Sequence, residues 1–146
     1  MLQDMSLRRF CDVYHELDKA STDRLGEIYT DDVCFRDPLH QVTGLDSLQA
    51  YFDALYANVS QCHFTFHQGL RQQEQAFVVW TMSVAHPRLA GGKSYRVEGC
   101  SRLTFAADGS DKVCDHRDYF DAGELLYEQL PILGRVIRRL KQRAAA

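Results

Sequence analysis

Two short stretches hold the side chains best suited to chemistry. In VCFRDPLH, Val33 to His40, an arginine and an aspartate follow an apolar run, and Pro38 closes it. In HRDYFD, residues 116–121, a histidine and an aspartate stand two positions apart. Side chains alternate between faces along a strand, so Phe35 and Asp37 share one face, as do Cys114, His116, Asp118 and Phe120. If Asp118 points inward, so does His116. Two carboxylates and an imidazole then face Trp80 or Met82 across an aromatic-lined cavity. Burial raises a carboxylate pKa and a second carboxylate raises it further, which makes one of the pair a proton donor or base near neutrality. Enolisation and ring closure need such a group.

Each residue also has an architectural reading. Asp37 can pair with Arg36 or Arg117, or cap the turn at Pro38, and Asp118 can form a buried pair with Arg102 or Arg117. His116 can be a hydrogen-bonded neighbour, although its ordinary pKa of about 6.5 suits proton transfer. His63 and His67 recur on one strand face with no acid or cysteine matched to them, which suits a solvated or dimer-facing pair. His40 and His86 read as loop residues, and Cys100 and Cys114 as buried, inert thiols. The sequence contains no phosphate loop, metal-ligand spacing or nucleophile elbow.

The elements that must position these groups follow from periodicity. Leu7, Phe10, Cys11, Tyr14 and Leu17 form one helix face, and Ser21 is placed to cap a second short helix through Tyr29. VCFRD reads as a strand and PLHQVTG as a turn-rich connection. Residues 45–59 form the clearest helix, on a stripe from Leu45 to Val59. Four long strands then follow as a meander: CHFTFHQGL, QAFVVWTMSVAH, YRVEGCSRLTF and VCDHRDYFD. The second is apolar on both faces, and its outer residues Phe77, Val79 and Thr81 call for a partner sheet. AGELLYEQL stops at Pro131, and Val136, Ile137 and Leu140 mark a final amphipathic turn or two. The expected fold is α+β, one domain over 1–146: a cone-shaped, curved antiparallel sheet wrapped around a long helix, with a pocket at its open end.

Composition narrows the function classes. The chain has 146 residues and a net charge of −3, so nothing demands a nucleic-acid partner. RVIRRLKQR, residues 135–143, holds five of the seventeen basic residues and no acid, and reads as a solvated helix face. No apolar run reaches the roughly 20 residues of a spanning helix, and no membrane partner is expected. Five cysteines without a CxxC pair fit reduced thiols in the cytoplasm.

LDKASTDRLGEIYTDDVCFRDPLHQVTG, a helix, long strands and HRDYFD together resemble the nuclear transport factor 2-like superfamily, nearest its SnoaL-like branch. The resemblance spans nearly the whole chain as element order and is specific in YTDDVCFRDP and HRDYFD. It implies a cystatin-like α+β barrel, a homodimer through the sheet, and relatives among ketosteroid isomerases, polyketide cyclases and limonene epoxide hydrolases. In the isomerases the aspartate of the DP motif is the general base, and Asp37 stands there. Their oxyanion-donor positions fall on Val13, with Tyr14 beside it, and near Ser101. The hydrolases share RDYFD, and Asp118 matches a member of their triad. Their arginine and second aspartate fall in WTMSVA, which has no charge, and their tyrosine and asparagine positions hold Phe35 and Asp37. Cyclases of the SnoaL type need only one aspartate as acid and base in an apolar pocket.

The reading is a protein that binds a small apolar or aromatic molecule, as a cofactor-free isomerase or cyclase. Asp37, Asp118 and His116 are the catalytic candidates; Tyr14, Phe35, Trp80, Met82, Ser101 and Phe120 are the ligand contacts, and no metal site is expected. The alternative is a non-catalytic ligand-binding or regulatory module of the same fold.

Overall fold

The computed structural model describes residues 3–145. Helix α1, Met5–Glu16, begins where the Asp4 carboxylate accepts the Leu7 N–H at 2.9 Å, and it buries Leu7, Phe10, Cys11, Val13 and Tyr14. The expected second helix is a 3-10 turn, Thr22–Glu27, which ends before Tyr29. Ser21 gives it no side-chain cap; its hydroxyl accepts the Asp18 N–H instead. Tyr29 is therefore the first residue of strand β1, Tyr29–Arg36. Tyr29, Thr30, Val33 and Phe35 favour that extension despite Asp31 and Asp32 between them, and the Ile28 carbonyl accepts the Val113 N–H.

The turn-rich connection contains a short strand, β2, Gln41–Thr43, paired antiparallel to β1. Helix α2, Leu45–Asn58, buries Leu48, Phe52 and Tyr56. Strands β3 (Gln61–Gln72), β4 (Gln75–Ala85), β5 (Tyr95–Phe105) and β6 (Val113–Phe120) form the expected meander. The sheet order is β2-β1-β6-β5-β4-β3. One pairing departs from the expected antiparallel sheet, because β1 runs parallel to β6 and brings Phe35 opposite His116. The sheet does not close; β2 and β3 are its edges. A bulge between Phe66 and Gln68 on β3 shifts the alternation and leaves Leu70 81% exposed. The free edge of β3 is met by α1, whose His15 Nδ1 lies 2.8 Å from the Phe64 carbonyl.

After β6 come α3 (Ala122–Leu125), a 3-10 turn, and α4 (Pro131–Ala144). The tail is thus a helix of 14 residues, longer than the expected turn or two. Pro131 suits its first turn, where an N–H has no intrahelical acceptor. No helix among the described residues is long and apolar enough to cross a membrane.

The core lies between the concave sheet face and α1 and α2. Trp80 is 1% exposed and stands directly across from Gly99, where a Cβ would lie 2.2 Å from the indole. Glycine there is a space requirement, since only a missing side chain lets the ring lie flat on β5. Gly99→Ala must displace Trp80, and overpacking of this kind costs about 1–3 kcal/mol. Urea denaturation followed by the fluorescence of this one tryptophan should show that loss; an unchanged midpoint would contradict the packing.

Candidate functional site

The open end of the cone holds a cavity of about 260 Å³. Its walls are mostly apolar and aromatic, and they include Phe35, Phe52, Phe64, Trp80, Met82 and Phe120. Both Asp37 and Asp118 line it, with side chains 7% and 11% exposed. They arrive from neighbouring strands, Asp37 just past the end of β1 and Asp118 on β6, which the parallel pairing sets side by side.

Asp37 both caps a turn and lines the cavity. Its Oδ1 accepts the backbone N–H groups of Leu39 (2.8 Å) and His40 (2.7 Å), which caps the Pro38 turn. His40 Nδ1 stands 3.3 Å from the same oxygen. Oδ2 accepts the Tyr51 hydroxyl at 3.1 Å. The turn and Tyr51 hold this carboxylate in place of Arg36 or Arg117.

Asp118 ends a buried hydrogen-bond chain. Trp80 Nε1 donates to Ser101 Oγ at 2.8 Å, and Ser101 donates to Asp118 Oδ1 at 2.5 Å. From the other side, Tyr14 and Tyr29 hydroxyls meet at 2.8 Å, Tyr29 meets His116 Nδ1 at 2.5 Å, and His116 Nε2 meets Asp118 Oδ1 at 2.5 Å. An indole N–H can only donate, so Ser101 must pass its own proton to the carboxylate. With Asp118 ionised and His116 neutral, Nε2 carries the imidazole proton. Nδ1 then accepts from Tyr29, and Tyr29 accepts from Tyr14. Every donor in the chain points toward Asp118 Oδ1. Oδ2 has no partner among the described residues.

The architectural alternatives for Asp118 do not occur. Arg102 sits 3.7 Å from Asp115, and the Arg117 guanidinium lies over the Tyr119 ring at 4.9 Å. His116 and Ser101 are each 2% exposed and lie behind the cavity wall rather than in it. They orient Asp118, and neither lines the cavity as the sequence reading expects. Val13 is buried in the core, whereas Tyr14 reaches the cavity. His63 packs edge-on against His15, with ring centroids 4.4 Å apart, and His67 Nε2 meets Thr81 Oγ1 at 2.7 Å. Cys100 and Cys114 are only partly buried.

Sequence reasoning missed Tyr29, placed in a helix, and the cavity roles of Tyr51, His40, His86, Tyr95, Leu125 and Leu126. Tyr51 carried a usable signal, because a tyrosine on an apolar helix stripe must find a partner for its hydroxyl. The tyrosine hydroxyls on the cavity are all engaged: Tyr14 with Tyr29, Tyr51 with Asp37, and Tyr95 with the Leu125 carbonyl. Burial holds the Tyr14, Tyr29 and Tyr51 hydroxyls above their ordinary pKa, with carboxylate charge adding to the shift. These phenols therefore keep their protons at neutral pH. The cavity presents two anchored carboxylates and no uncommitted tyrosine hydroxyl.

The SnoaL-like domain model matches residues 7–116, and the chain belongs to that family. Solved structures with the same fold include a hypothetical protein with a ketosteroid isomerase-like fold from Catenulispora acidiphila, in complex with trimethylamine. Its TM-score is 0.74 at 13% identity, over 89% of this chain and 96% of that one. A proposed SnoaL-like polyketide cyclase from Shewanella denitrificans gives a TM-score of 0.70 at 15% identity, covering 84% and 95%. TsrD from Streptomyces laurentii gives 0.69 at 18%, covering 90% and 98%. At these identities the likeness is one of fold. No curated protein sequence matches the chain.

Cys62 lines the cavity, and burial pushes its thiol up to about 12 from an ordinary 9.0; Cys11 is raised likewise to about 12. As pH rises past 9.0 the unfolded chain releases protons that the folded protein still holds, so stability falls between there and about 12. Denaturation midpoints measured across that range should decline steadily. In the folded state at neutral pH, Cys62 should resist iodoacetamide and react only on unfolding. Rapid native alkylation of Cys62, read by peptide mass, would contradict this picture.

Proposed function

We propose that the protein binds a small, mostly apolar molecule in this cavity and moves a proton on it, as a cofactor-free isomerase or cyclase. One observation carries the reading. Two carboxylates line one apolar cavity, each fixed through Oδ1 by at least two donors; Asp118 Oδ2 has no partner among the described residues, and Asp37 Oδ2 meets only the Tyr51 hydroxyl. Such a group is preorganised for proton transfer, because its orientation is set before the ligand arrives. Asp37 takes the part of base, and Asp118 that of acid–base partner. His116 positions Asp118 and fixes its hydrogen-bond polarity. Phe35, Trp80, Met82 and Phe120 supply apolar contact, and Tyr14 closes the floor.

A second reading rests on the engaged tyrosines. An enolate needs a donor for its developing charge. With Tyr14, Tyr51 and Tyr95 committed, the imidazoles of His40 and His86 and the weak thiol donor of Cys62 are the remaining side-chain donors on the wall. That balance favours a non-catalytic ligand-binding module.

Asparagine substitutions separate the two. Asp37→Asn keeps an oxygen for the turn N–H groups, so its midpoint should move by less than about 1 kcal/mol, whereas Asp37→Ala should lose about that much with the cap. Under the enzymatic reading Asp37→Asn and Asp118→Asn each lower turnover at least about 100-fold while ligand still quenches Trp80 fluorescence. Turnover retained in both variants would leave the binding module.

We also propose a homodimer through the outer sheet face. Phe77 and Val79 there are 49% and 36% exposed, alternating with the buried Ala76, Val78 and Trp80. Light scattering should return twice the 16.8 kDa chain mass. A monomer at micromolar concentration that stays monomeric when Phe77 becomes Glu would refute it.

A further inference from the structure

Helix α4 is mounted with its apolar side outward. The side that meets the body carries the half-buried Ile137 among polar contacts, and Gly134 is buried so closely that a Cβ would lie 2.4 Å from the Glu128 carbonyl oxygen. Arg138 Nη1 donates to that oxygen at 2.7 Å, and Lys141 Nζ reaches Glu128 Oε2 at 3.0 Å and Asp121 Oδ2. These residues follow one face at 134, 138 and 141. The opposite side carries Ile132 (81% exposed), Leu133 (40%), Val136 (49%) and Leu140 (55%). Beside that row runs a second one, Arg135, Arg139 and Arg143, none with a carboxylate within ion-pair distance among the described residues. No acid occurs from Pro131 to the end of the sequence.

An exposed apolar row flanked by a row of arginines fits a surface that is apolar below and negatively charged above. We infer that α4 docks in the headgroup region of a membrane containing anionic phospholipid, with its axis in the membrane plane. The four apolar side chains enter the acyl boundary, and the arginine row meets the phosphates. The expectation of no membrane partner follows from the lack of a spanning run, and a helix lying in the surface needs none. Nucleic acid is disfavoured because a phosphate-binding face gains nothing from Ile132, Val136 and Leu140. A second copy of the chain would cover the apolar row but offers no special reason for arginines without partners. Leu125 and Leu126, which line the cavity, lie only a few residues before this helix, so docking would hold the cavity close to an apolar reservoir.

Flotation of the full chain tests this with vesicles of phosphatidylcholine containing phosphatidylglycerol, against vesicles of phosphatidylcholine alone. The bound fraction should be at least about tenfold greater on the anionic vesicles. Val136→Asp and Arg139→Glu should each remove most of it, with little change in the melting temperature, because Arg139 is exposed and Val136 half-exposed. Equal binding to both vesicle types, no binding to either, or binding untouched by Val136→Asp would overturn the inference. So would salt-sensitive DNA binding without flotation. A Val136→Asp protein that changes oligomeric state while the parent never floats would assign the row to a second copy instead. None of these outcomes depends on turnover, so the docking and the proton-transfer reading stand or fall separately.

Discussion

The carboxylate of Asp118 is the point on which the interior is organised. A buried anion in an apolar wall is costly unless hydrogen bonds replace the water it has lost. Here the replacement comes from two directions, Ser101 backed by Trp80 and His116 backed by Tyr29 and Tyr14. Those partners are drawn from α1, β1, β4, β5 and β6, so satisfying one oxygen ties most of the cone together. Removing any link strands a buried polar group, at roughly 1–3 kcal/mol. The parallel contact between β1 and β6 follows the same logic, because it carries Tyr29 and His116 on adjoining strands.

The chain also decides what the cavity can offer a ligand. Donors that face inward toward Asp118 cannot simultaneously face the cavity. Tyr14 illustrates the constraint: it lines the cavity, yet its proton is committed to Tyr29 while Asp118 is ionised. A cavity with two carboxylates and few free donors is suited to accepting a proton and poorly suited to holding an oxyanion.

The element order was legible because it depends on periodicity, and residues 45–59 and the four long strands came out where their patterns placed them. Strand alternation grouped Asp37 with Phe35 and Asp118 with His116 but left open whether those faces point inward; the structure puts both carboxylates on the cavity. What could not be read was pairing. Nothing local in VCFRD says that its neighbour is β6 and that the two run parallel, and without that contact Tyr29 has no reason to meet His116. The 3-10 turn hid Tyr29 further, since Ser21 and the apolar spacing through Ile28 look like a helix start until the backbone extends. His40 and His86 lie in connections, where sequence pattern gives no direction for a side chain. The amphipathic character of α4 was visible, but which side packs against the body was not. Gly134 settles that through close approach to Glu128, a contact between segments whose relative placement no window of sequence describes.

Asp37 and Asp118 solve the same physical problem with different materials. At Asp37 the donors are backbone N–H groups of a proline turn, local and fixed by three residues of sequence. At Asp118 they are side chains from distant strands. In both, Oδ1 is the anchor, while Oδ2 carries one bond from Tyr51 at Asp37 and none among the described residues at Asp118. An aspartate can therefore hold a turn and still line a cavity. The Pro38 turn needs an acceptor, and an asparagine would serve it. A carboxylate adds a second oxygen with negative charge, which the turn does not use and which Tyr51 holds at the cavity wall. The fold at position 37 asks for the acceptor, and Tyr51 ties the remaining oxygen to helix α2 beside the cavity.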